Sequence, residues 1–386
     1  MKALVLSGGG SKGSYQIGVW KALKKLHIKF DIVTGTSSGA INGVLITQNS
    51  YFKALRIWKK LSYKNIFGDE FTNSNEIKTL YKTFAKNFIS DGGTEVNELH
   101  ELIKANININ RFYKSKINYG LVTYNLTTMK PIQLEKKDIP KDQLSEYILA
   151  SASCFPAFKK MNIEGNDYID GGYYDNIPIN LAINMGADEA IVVDLSSIGL
   201  KKKPKKKIKT ITIKPNNQLS NFLLFDKEAS KKNMKYGYND TLKVFNKLEG
   251  NKYTFKLNEI KKFEDLYLEN YKKILYRIFD TKEQVEKFNR LIKIETKEKL
   301  KRELVNLIIE DSGYKYNIDD TKIYTCYSFN NELIKKVVKD LRKEKDDSIL
   351  YFYRLLQDEE YRTIKKEAII RPFDLLRAIY IYSVME

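Results

Sequence analysis

ALVLSGGGSKGSYQIGVWKALKKLHIKFDIVTGTSSGAINGVLI, residues 3–46, decides the fold. Ala3 to Leu6 is a short apolar run of the kind buried in a parallel sheet, broken by the glycines at 8, 9 and 10. Tyr15 to Leu26 carries apolar residues at helical spacing. Phe30 to Val33 reads as a second strand, Gly35 to Gly39 as a tight turn, and Ala40 to Ile46 as a second helix. A strand, helix, strand unit of this length is a right-handed crossover between parallel strands, so both strands end on one edge of the sheet. The Gly-rich loop and the second turn are therefore expected to meet in space.

Gly8-Gly-Gly-Ser-Lys-Gly13 satisfies G-x-G-x-x-G, the dinucleotide-binding pattern. That site also wants an acidic residue at the end of the second strand, where Thr34-Gly-Thr-Ser37 stands; Asp31 lies at the strand's beginning. A Walker loop fails as well, because Ser14 and Tyr15 follow Gly13. Gly35-Thr-Ser-Ser-Gly39 matches G-x-S-x-G between a strand and a helix, the context of a nucleophile elbow, with Ser37 lifted above the sheet edge. The helix that follows aims its N-terminal amides and positive dipole end at the same point. Acyl transfer builds negative charge on a carbonyl oxygen, and glycines let backbone N–H donors approach it closely. The loop Gly8, Gly9, Gly10, Ser11, Lys12, Gly13 is the expected oxyanion hole, with Gly9, Gly10 and Ser11 as its donors and Lys12 fixing the loop or adding positive field.

Ser37 needs a base, and the chain has two histidines. His27 falls at the opposite sheet edge and His100 in a polar helical stretch, so neither suits a Ser-His-Asp triad. Asp170, in Tyr168-Ile-Asp-Gly-Gly172, stands where a short strand runs into a glycine turn; such an Asp can approach a serine, although Asp-Gly-Gly is also a common hairpin turn.

GGGSKG at 8–13, GTSSG at 35–39 and DGG at 170–172, in that order, resemble the patatin-like phospholipase family, whose members use a Ser-Asp dyad. Ala150-Ser-Ala-Ser-Cys-Phe-Pro-Ala-Phe158, Asn176-Ile-Pro178 and Gly186-Ala-Asp-Glu-Ala-Ile-Val-Val-Asp194 are similar to further family blocks, and the resemblance covers about residues 1–246. It implies an α/β fold, three-layer α/β/α around a mainly parallel sheet. It also implies Ser37 as nucleophile and Asp170 as base, with Gly35 and Gly39 shaping the elbow and Gly171 and Gly172 the base turn. Tyr173-Tyr174 depart from the smaller residues common after the Asp, which bears on access to the site. The expected domains are 1–248, catalytic, and 249–386, mostly helical and unmatched to the catalytic unit.

Between elbow and Asp, helices are expected at Lys53 to Leu61, Glu76 to Phe88 and Val96 to Ala105, with Leu55, Ile57, Trp58, Phe67 and Phe71 as lining of an acyl pocket. Tyr119 to Leu126 and Pro131 to Leu134 read as strands. Leu219 to Phe225 is apolar and expected to pack on the sheet, with a place at the pocket mouth as the alternative, before a helix over 227–245. Beyond 258 the pattern is helical, including one stretch from Lys282 to Ile309. The apolar ending Ala378 to Val384 is expected to bury itself against the catalytic domain or a second copy of the chain.

The 386 residues are 42% apolar, enough for a substantial core, and carry net charge +19. Half of that excess, +10, lies in residues 201–250, against +5 in 1–200 and zero in 301–386. Six lysines crowd Lys201-Lys-Lys-Pro-Lys-Lys-Lys207, expected on the sheet edge away from the site, where they can touch anionic lipid. Nucleic acid is not expected, because no zinc finger, RNP-like motif or basic aromatic platform accompanies them. Cys154 and Cys326 lie far apart without metal-binding spacing, and two histidines do not make a His-rich site, so no metal and no cofactor are expected. No signal-peptide core and no run of about 18 apolar residues stands out, which gives a soluble, cytoplasmic expectation, with peripheral contact at the inner membrane face. The expected function is hydrolysis of acyl-lipid esters, phospholipids among them. A thioesterase, an acyltransferase or a silent lipid-binding module are the alternatives.

Overall fold

Strand β1 (Lys2–Leu6) is buried on both faces from Ala3 to Leu6, as a central parallel strand must be. The loop after it leads into α1 (Ser14–Lys25), then β2 (Ile32–Thr36) and α2 (Ser38–Thr47). β1 and β2 pair in parallel with Leu6 opposite Gly35, so the Gly-rich loop and the turn at Ser37 leave the same sheet edge. A helical insert follows: α3 (Tyr51–Lys60), α4 (Lys64–Phe67), α5 (Ile77–Asp91), α6 (Asn97–Asn106) and α7 (Ile109–Lys114). The chain then returns to the sheet as β3 (Asn118–Asn125) and β4 (Lys130–Glu135), passes through α8 (Leu144–Ala152) and forms β5 (Met161–Ile163) and β6 (Asn166–Asp170). α9 (Ile179–Asn184), β7 (Glu189–Val193), β8 (Lys209–Ile213) and α10 (Lys227–Val244) complete the unit.

The sheet runs β5-β6-β3-β2-β1-β7-β8, with β4 also paired to β3. β3-β2-β1-β7-β8 are parallel, and β4, β5 and β6 are antiparallel additions on the β3 side. Ala3, Val5, Ile32, Val122 and Val192 pack with α9 on one face. Residues in the opposite phase point the other way, where the Tyr119 hydroxyl donates to the Ala40 carbonyl of α2. Helices α1 and α10 cross at two glycines: a Cβ on Gly18 would stand 1.9 Å from the Met234 carbonyl oxygen, and one on Gly237 2.0 Å from that of Tyr15. The result is the three-layer α/β/α arrangement with a mostly parallel sheet.

This computed structural model describes residues 1–67, 77–292, 298–343 and 347–386. Phe71, and Glu76 at the expected start of its helix, lie outside them. The chain divides into two units, Met1–Val244 and Phe245–Glu386. The second unit contains the small parallel pair β9 (Thr254–Phe255) and β10 (Ile323–Tyr324). Its helices are α11 (Glu259–Ile278), α12 (Lys282–Leu291), α13 (Glu298–Lys315), α14 (Cys326–Leu341), α15 (Ser348–Gln357), α16 (Tyr361–Glu367) and α17 (Pro372–Met385). The stretch expected as one helix from Lys282 is thus two, with 293–297 between them outside the described residues. The apolar ending is consumed inside this unit: Leu375, Leu376, Ala378, Ile379 and Ile381 are fully buried in a core shared with α11, α13, α14 and α15.

Candidate active site

Two adjacent rungs on β3 bring the elbow and the Asp turn together. Val122 faces Thr36 of β2, and the next residue, Thr123, faces Asp170 of β6. Ser37 follows Thr36 directly, so it leaves the sheet beside Asp170. Its backbone has φ 56° and ψ −127°, a left-handed conformation that costs a non-glycine residue on the order of 1–3 kcal/mol. The flanking glycines make this turn possible by close approach. A Cβ on Gly35 would meet the Gly39 carbonyl at 2.3 Å, and one on Gly39 the Leu6 carbonyl at 2.4 Å. Neighbouring groups lock the elbow: the Ser37 N–H donates to Ser151 Oγ at 3.0 Å, Ser151 donates onward to the Val122 carbonyl at 2.6 Å, and Thr36 Oγ1 donates to the Asp175 carbonyl at 2.8 Å.

Asp170 is 7% exposed. Burial pushes its carboxyl up to about 6, against the pull of the Gly172 N–H and the Ser37 hydroxyl, which hydrogen-bond to the charged form. The Gly172 bond measures 2.7 Å. Asp175, fully buried five residues on, is likewise raised to about 6 by burial. Burial, and then the charge of Asp170, drives the Cys154 thiol up to about 12, so it is not a thiolate at neutral pH.

The six residues of the Gly-rich loop divide by what their amides do. Gly8 N–H is held by Asn176, Ser11 N–H donates to the Phe222 carbonyl at 2.8 Å, and Lys12 N–H donates to the Gly9 carbonyl at 3.1 Å. Gly13 starts the turn into α1, and its carbonyl accepts from Asn42 Nδ2. Among the described residues, the N–H groups of Gly9 and Gly10 have no acceptor, and both residues line the cavity that holds Ser37 and Asp170. Ser11 is therefore an anchor of the loop, because its N–H is already spent on Phe222.

That cavity measures about 890 Å³. Its walls are apolar: Ile41, Val44 and Leu45 from α2, Ile57 and Trp58 from α3, Phe84 and Phe88 from α5, Leu99 and Ile103 from α6. Of the expected lining, Ile57 and Trp58 are in place. Leu55 does not line the cavity, and neither does Phe67, whose ring packs behind the wall against Phe84, Phe158 and Phe225. Trp58 Nε1 donates to Asn42 Oδ1 at 2.8 Å, tying this wall to the Gly-rich loop. The run Leu219 to Phe225 is wall as well as packing, since Phe222, Leu223 and Phe225 line the cavity. Neither histidine does.

The lysine cluster stands in a different position from the expected one. A parallel β7–β8 connection starts at the edge where β7 ends, which is the site's edge, and crosses to the other. Ser197, Ile198, Gly199 and Leu200 accordingly line the cavity. Lys201 pairs with Asp194 at 3.0 Å, and the Lys202 ammonium lies 3.1 Å from the centroid of the Tyr174 ring. Asn180 of α9 then binds the backbone of Lys203 and Lys205 on the way across. The lysines are strung along the crossing rather than gathered behind the site.

Ser151, Asn176 and Phe222 hold the site, and sequence reading assigned them no such role. The available signal was small buried polar residues beside glycines, in Ala150-Ser-Ala-Ser and Asn176-Ile-Pro. Among the described residues no group of three or more His, Cys, Asp or Glu is placed to hold a metal ion.

A three-layer α/β/α sheet with a serine elbow beside a buried carboxylate defines the architecture of an α/β serine hydrolase. Residues 4–183 match the family model described as patatin-like phospholipase, and this part of the chain is similar to that family. It is 28% identical over 211 residues to lysophospholipase nte1 of Aspergillus terreus, covering 50% of this chain and 12% of that protein. It is also 28% identical over 204 residues to patatin-like phospholipase domain-containing protein 7 of Rattus norvegicus, covering 50% of this chain and 14% of that protein. The match thus spans about one eighth of these relatives' length. Among solved structures, VipD from Legionella pneumophila superposes with a TM-score of 0.42 at 13% identity, over 100% of this chain and 91% of that one.

Proposed function

We propose that the chain is a serine acyl hydrolase acting on carboxylic esters of acyl lipids, lysophospholipids and phospholipids among them. The observation that carries this reading is the juxtaposition of Ser37 and Asp170 at the wall of a large apolar cavity. Ser37 Oγ attacks the ester carbonyl carbon while its proton passes to Asp170. The Gly9 and Gly10 N–H groups donate to the oxyanion, an effect of about 3–4 kcal/mol for each well-placed donor. Collapse of the intermediate breaks the ester C–O bond, and Asp170 returns the proton to the leaving alkoxide. Water then attacks the acyl carbonyl carbon and gives its proton to Asp170, the C–Oγ bond breaks as Asp170 returns that proton to Ser37 Oγ, and the fatty acid leaves. The alkyl walls accept the acyl chain, and a carboxyl raised to about 6 by burial is a better base than an ordinary Asp while still ionised at pH 7.

Fluorophosphonate labelling tests the nucleophile. Wild type and Ser38→Ala should label and Ser37→Ala should not; a folded wild type that stays unlabelled in the presence of lipid removes the reading and leaves a lipid-binding module. Product analysis over phospholipids, lysophospholipids, triglycerides and acyl thioesters separates the hydrolase from a thioesterase or acyltransferase.

The same proposal includes location. Among the described residues no helix is long and apolar enough to cross a membrane. Free Cys154 and Cys326 suit a reducing cytoplasm, and Lys201–Lys207 suit peripheral contact with an anionic inner face. Association of two copies through residues 249–386 has to use surfaces other than Leu375, Leu376, Ala378, Ile379 and Ile381 of the closing helix, which are covered; sedimentation velocity on the whole chain tests it.

A further inference from the structure

The cavity mouth exposes more apolar surface than a water-soluble substrate requires. On the β7–β8 connection, Ile198 is 89% exposed and Leu200 61%; Tyr173, beside them in the wall, is 44% exposed. On α5, Phe88 is 41% exposed and Ile89, the next residue, 85%. These two sides adjoin through Phe155: its ring meets that of Phe88 at 5.5 Å, and its carbonyl accepts the Tyr173 hydroxyl. Large apolar side chains scattered singly over a surface need no explanation, whereas a set gathered round one opening marks an interaction face.

Cations border this face on α5, and others lead away from it along the connection. Lys82 and Lys86 lie exposed on α5, and Lys203, Lys205, Lys206 and Lys207 follow Leu200 along the connection. Among the described residues none of these six ammonium groups has a carboxylate partner, in contrast to Lys201 with Asp194. Apolar side chains at an opening, bordered by unpaired lysines, match the layering of an anionic bilayer surface, with acyl chains inside and phosphates outside.

We propose that the mouth is a bilayer-docking rim: Phe88, Ile89, Ile198 and Leu200 settle into the headgroup–acyl boundary of an anionic membrane while the flanking lysines bind its phosphates. The cavity then opens directly onto the acyl layer, so a lipid reaches Ser37 without crossing water. This rests on the acyl-lipid reading for its orientation, yet the docking itself is separable from catalysis.

The test uses the whole chain carrying Ser37→Ala, which leaves vesicles intact. Co-sedimentation is measured with vesicles of phosphatidylcholine alone and of phosphatidylcholine mixed with phosphatidylglycerol. Binding to the mixed vesicles is expected to be at least about tenfold tighter than to phosphatidylcholine, and to weaken steeply with salt. Adding Ile89→Glu and Ile198→Glu should reduce it at least about tenfold, as should Lys82, Lys86 and Lys203→Ser. In the active chain, Ile89→Glu should leave fluorophosphonate labelling in detergent-free buffer unchanged while slowing hydrolysis of vesicle lipid. Vesicle binding unaffected by both sets of substitutions overturns the proposal. So does a dimer in sedimentation velocity that Ile89→Glu and Ile198→Glu dissociate, because the rim would then be covered by a second copy. A chain with Ser37 intact that fails to label while it still binds vesicles would instead count against the hydrolase reading alone.

Discussion

The Asn176 side-chain carbonyl accepts the Gly8 N–H at 3.1 Å, and the backbone carbonyl of the same residue accepts it at 3.2 Å. Because Gly8 can only donate, this bond fixes the amide's orientation and turns Nδ2 the other way. Nδ2 is buried without a partner among the described residues, on a side chain that lines the cavity. Asn176→Ala removes the side-chain half of this clamp and leaves the backbone carbonyl in place, and we expect kcat/KM to fall by up to about tenfold, in proportion to the loss of one of two shared acceptors, about 1 kcal/mol. Asn176→Asp keeps an acceptor for Gly8 but places a second carboxylate near Asp170. Like charge raises a carboxyl pKa, so the acid limb of the rate profile should move to higher pH, which labelling rate against pH will read.

Asp170 and Asp175 give the protein a defined pH response. With the Asp170 carboxyl at about 6, kcat/KM should rise with pH at a slope of about one through that value, since the base works only when ionised. Stability runs the opposite way. A carboxyl whose folded pKa stands above its unfolded 3.8 adds stability below 3.8 that is lost as pH rises through about 6. Asp170→Asn should therefore abolish turnover yet raise the melting temperature at pH 8, with little gain at pH 4. A melting temperature that falls equally at both pH values contradicts the assignment of burial as the cause.

Gly10 tests the loop's role by geometry. It has φ +54°, and a Cβ there would stand 2.2 Å from the Phe222 carbonyl oxygen, the group that holds Ser11. Gly10→Ala must push the loop away from Phe222 and shift the Gly9 and Gly10 N–H groups together. If these are the oxyanion donors, kcat should drop by about 100-fold or more while KM changes little. An equal rise in KM with kcat intact would assign the loop to substrate binding.

How much of this was readable beforehand follows sequence distance. The elbow is local: strand, glycine turn and helix all fall within residues 30–46, so Ser37 was legible from its own surroundings. The Gly-rich loop was legible because one crossover returns its strand beside β2. Asp170 required more, since its neighbour is set by Thr123, and no local pattern states that β6 adds antiparallel to β3 one rung beyond the elbow. The Ser11–Phe222 and Gly8–Asn176 bonds join residues about 210 and 170 apart, which left the division of the loop amides invisible. The lysines were misplaced because the turn into β8 was read as if it began at the far edge. The burial of the apolar ending was expected, but against the catalytic domain or a second copy, because no local pattern says that α11, α13, α14 and α15 of the same unit close over it.

On the proposed acyl-lipid reading, the length of acyl chain accepted follows from how far the cavity runs along α2. Ile41 and Leu45 succeed Ser37 at four-residue steps and both line the cavity, so Leu45 stands about 12 Å along the helix from the nucleophile. Leu45 is itself 3% exposed, and its neighbours across the space are other apolar side chains. Leu45→Trp fills the far part of the channel, at a folding cost of about 1–3 kcal/mol for overpacking. Each methylene turned out of the apolar wall loses about 0.8 kcal/mol, close to fourfold, so excluding two or more should lower kcat/KM for long-chain esters by over about tenfold. Short esters, which do not reach this depth, should lose far less, and the ratio of long-chain to short-chain kcat/KM across a p-nitrophenyl ester series reads the difference. A uniform fall at every chain length would mean that the substitution damages the fold or the elbow, and a ratio left unchanged would mean that the acyl chain takes another path, toward Leu99 and Ile103 of α6.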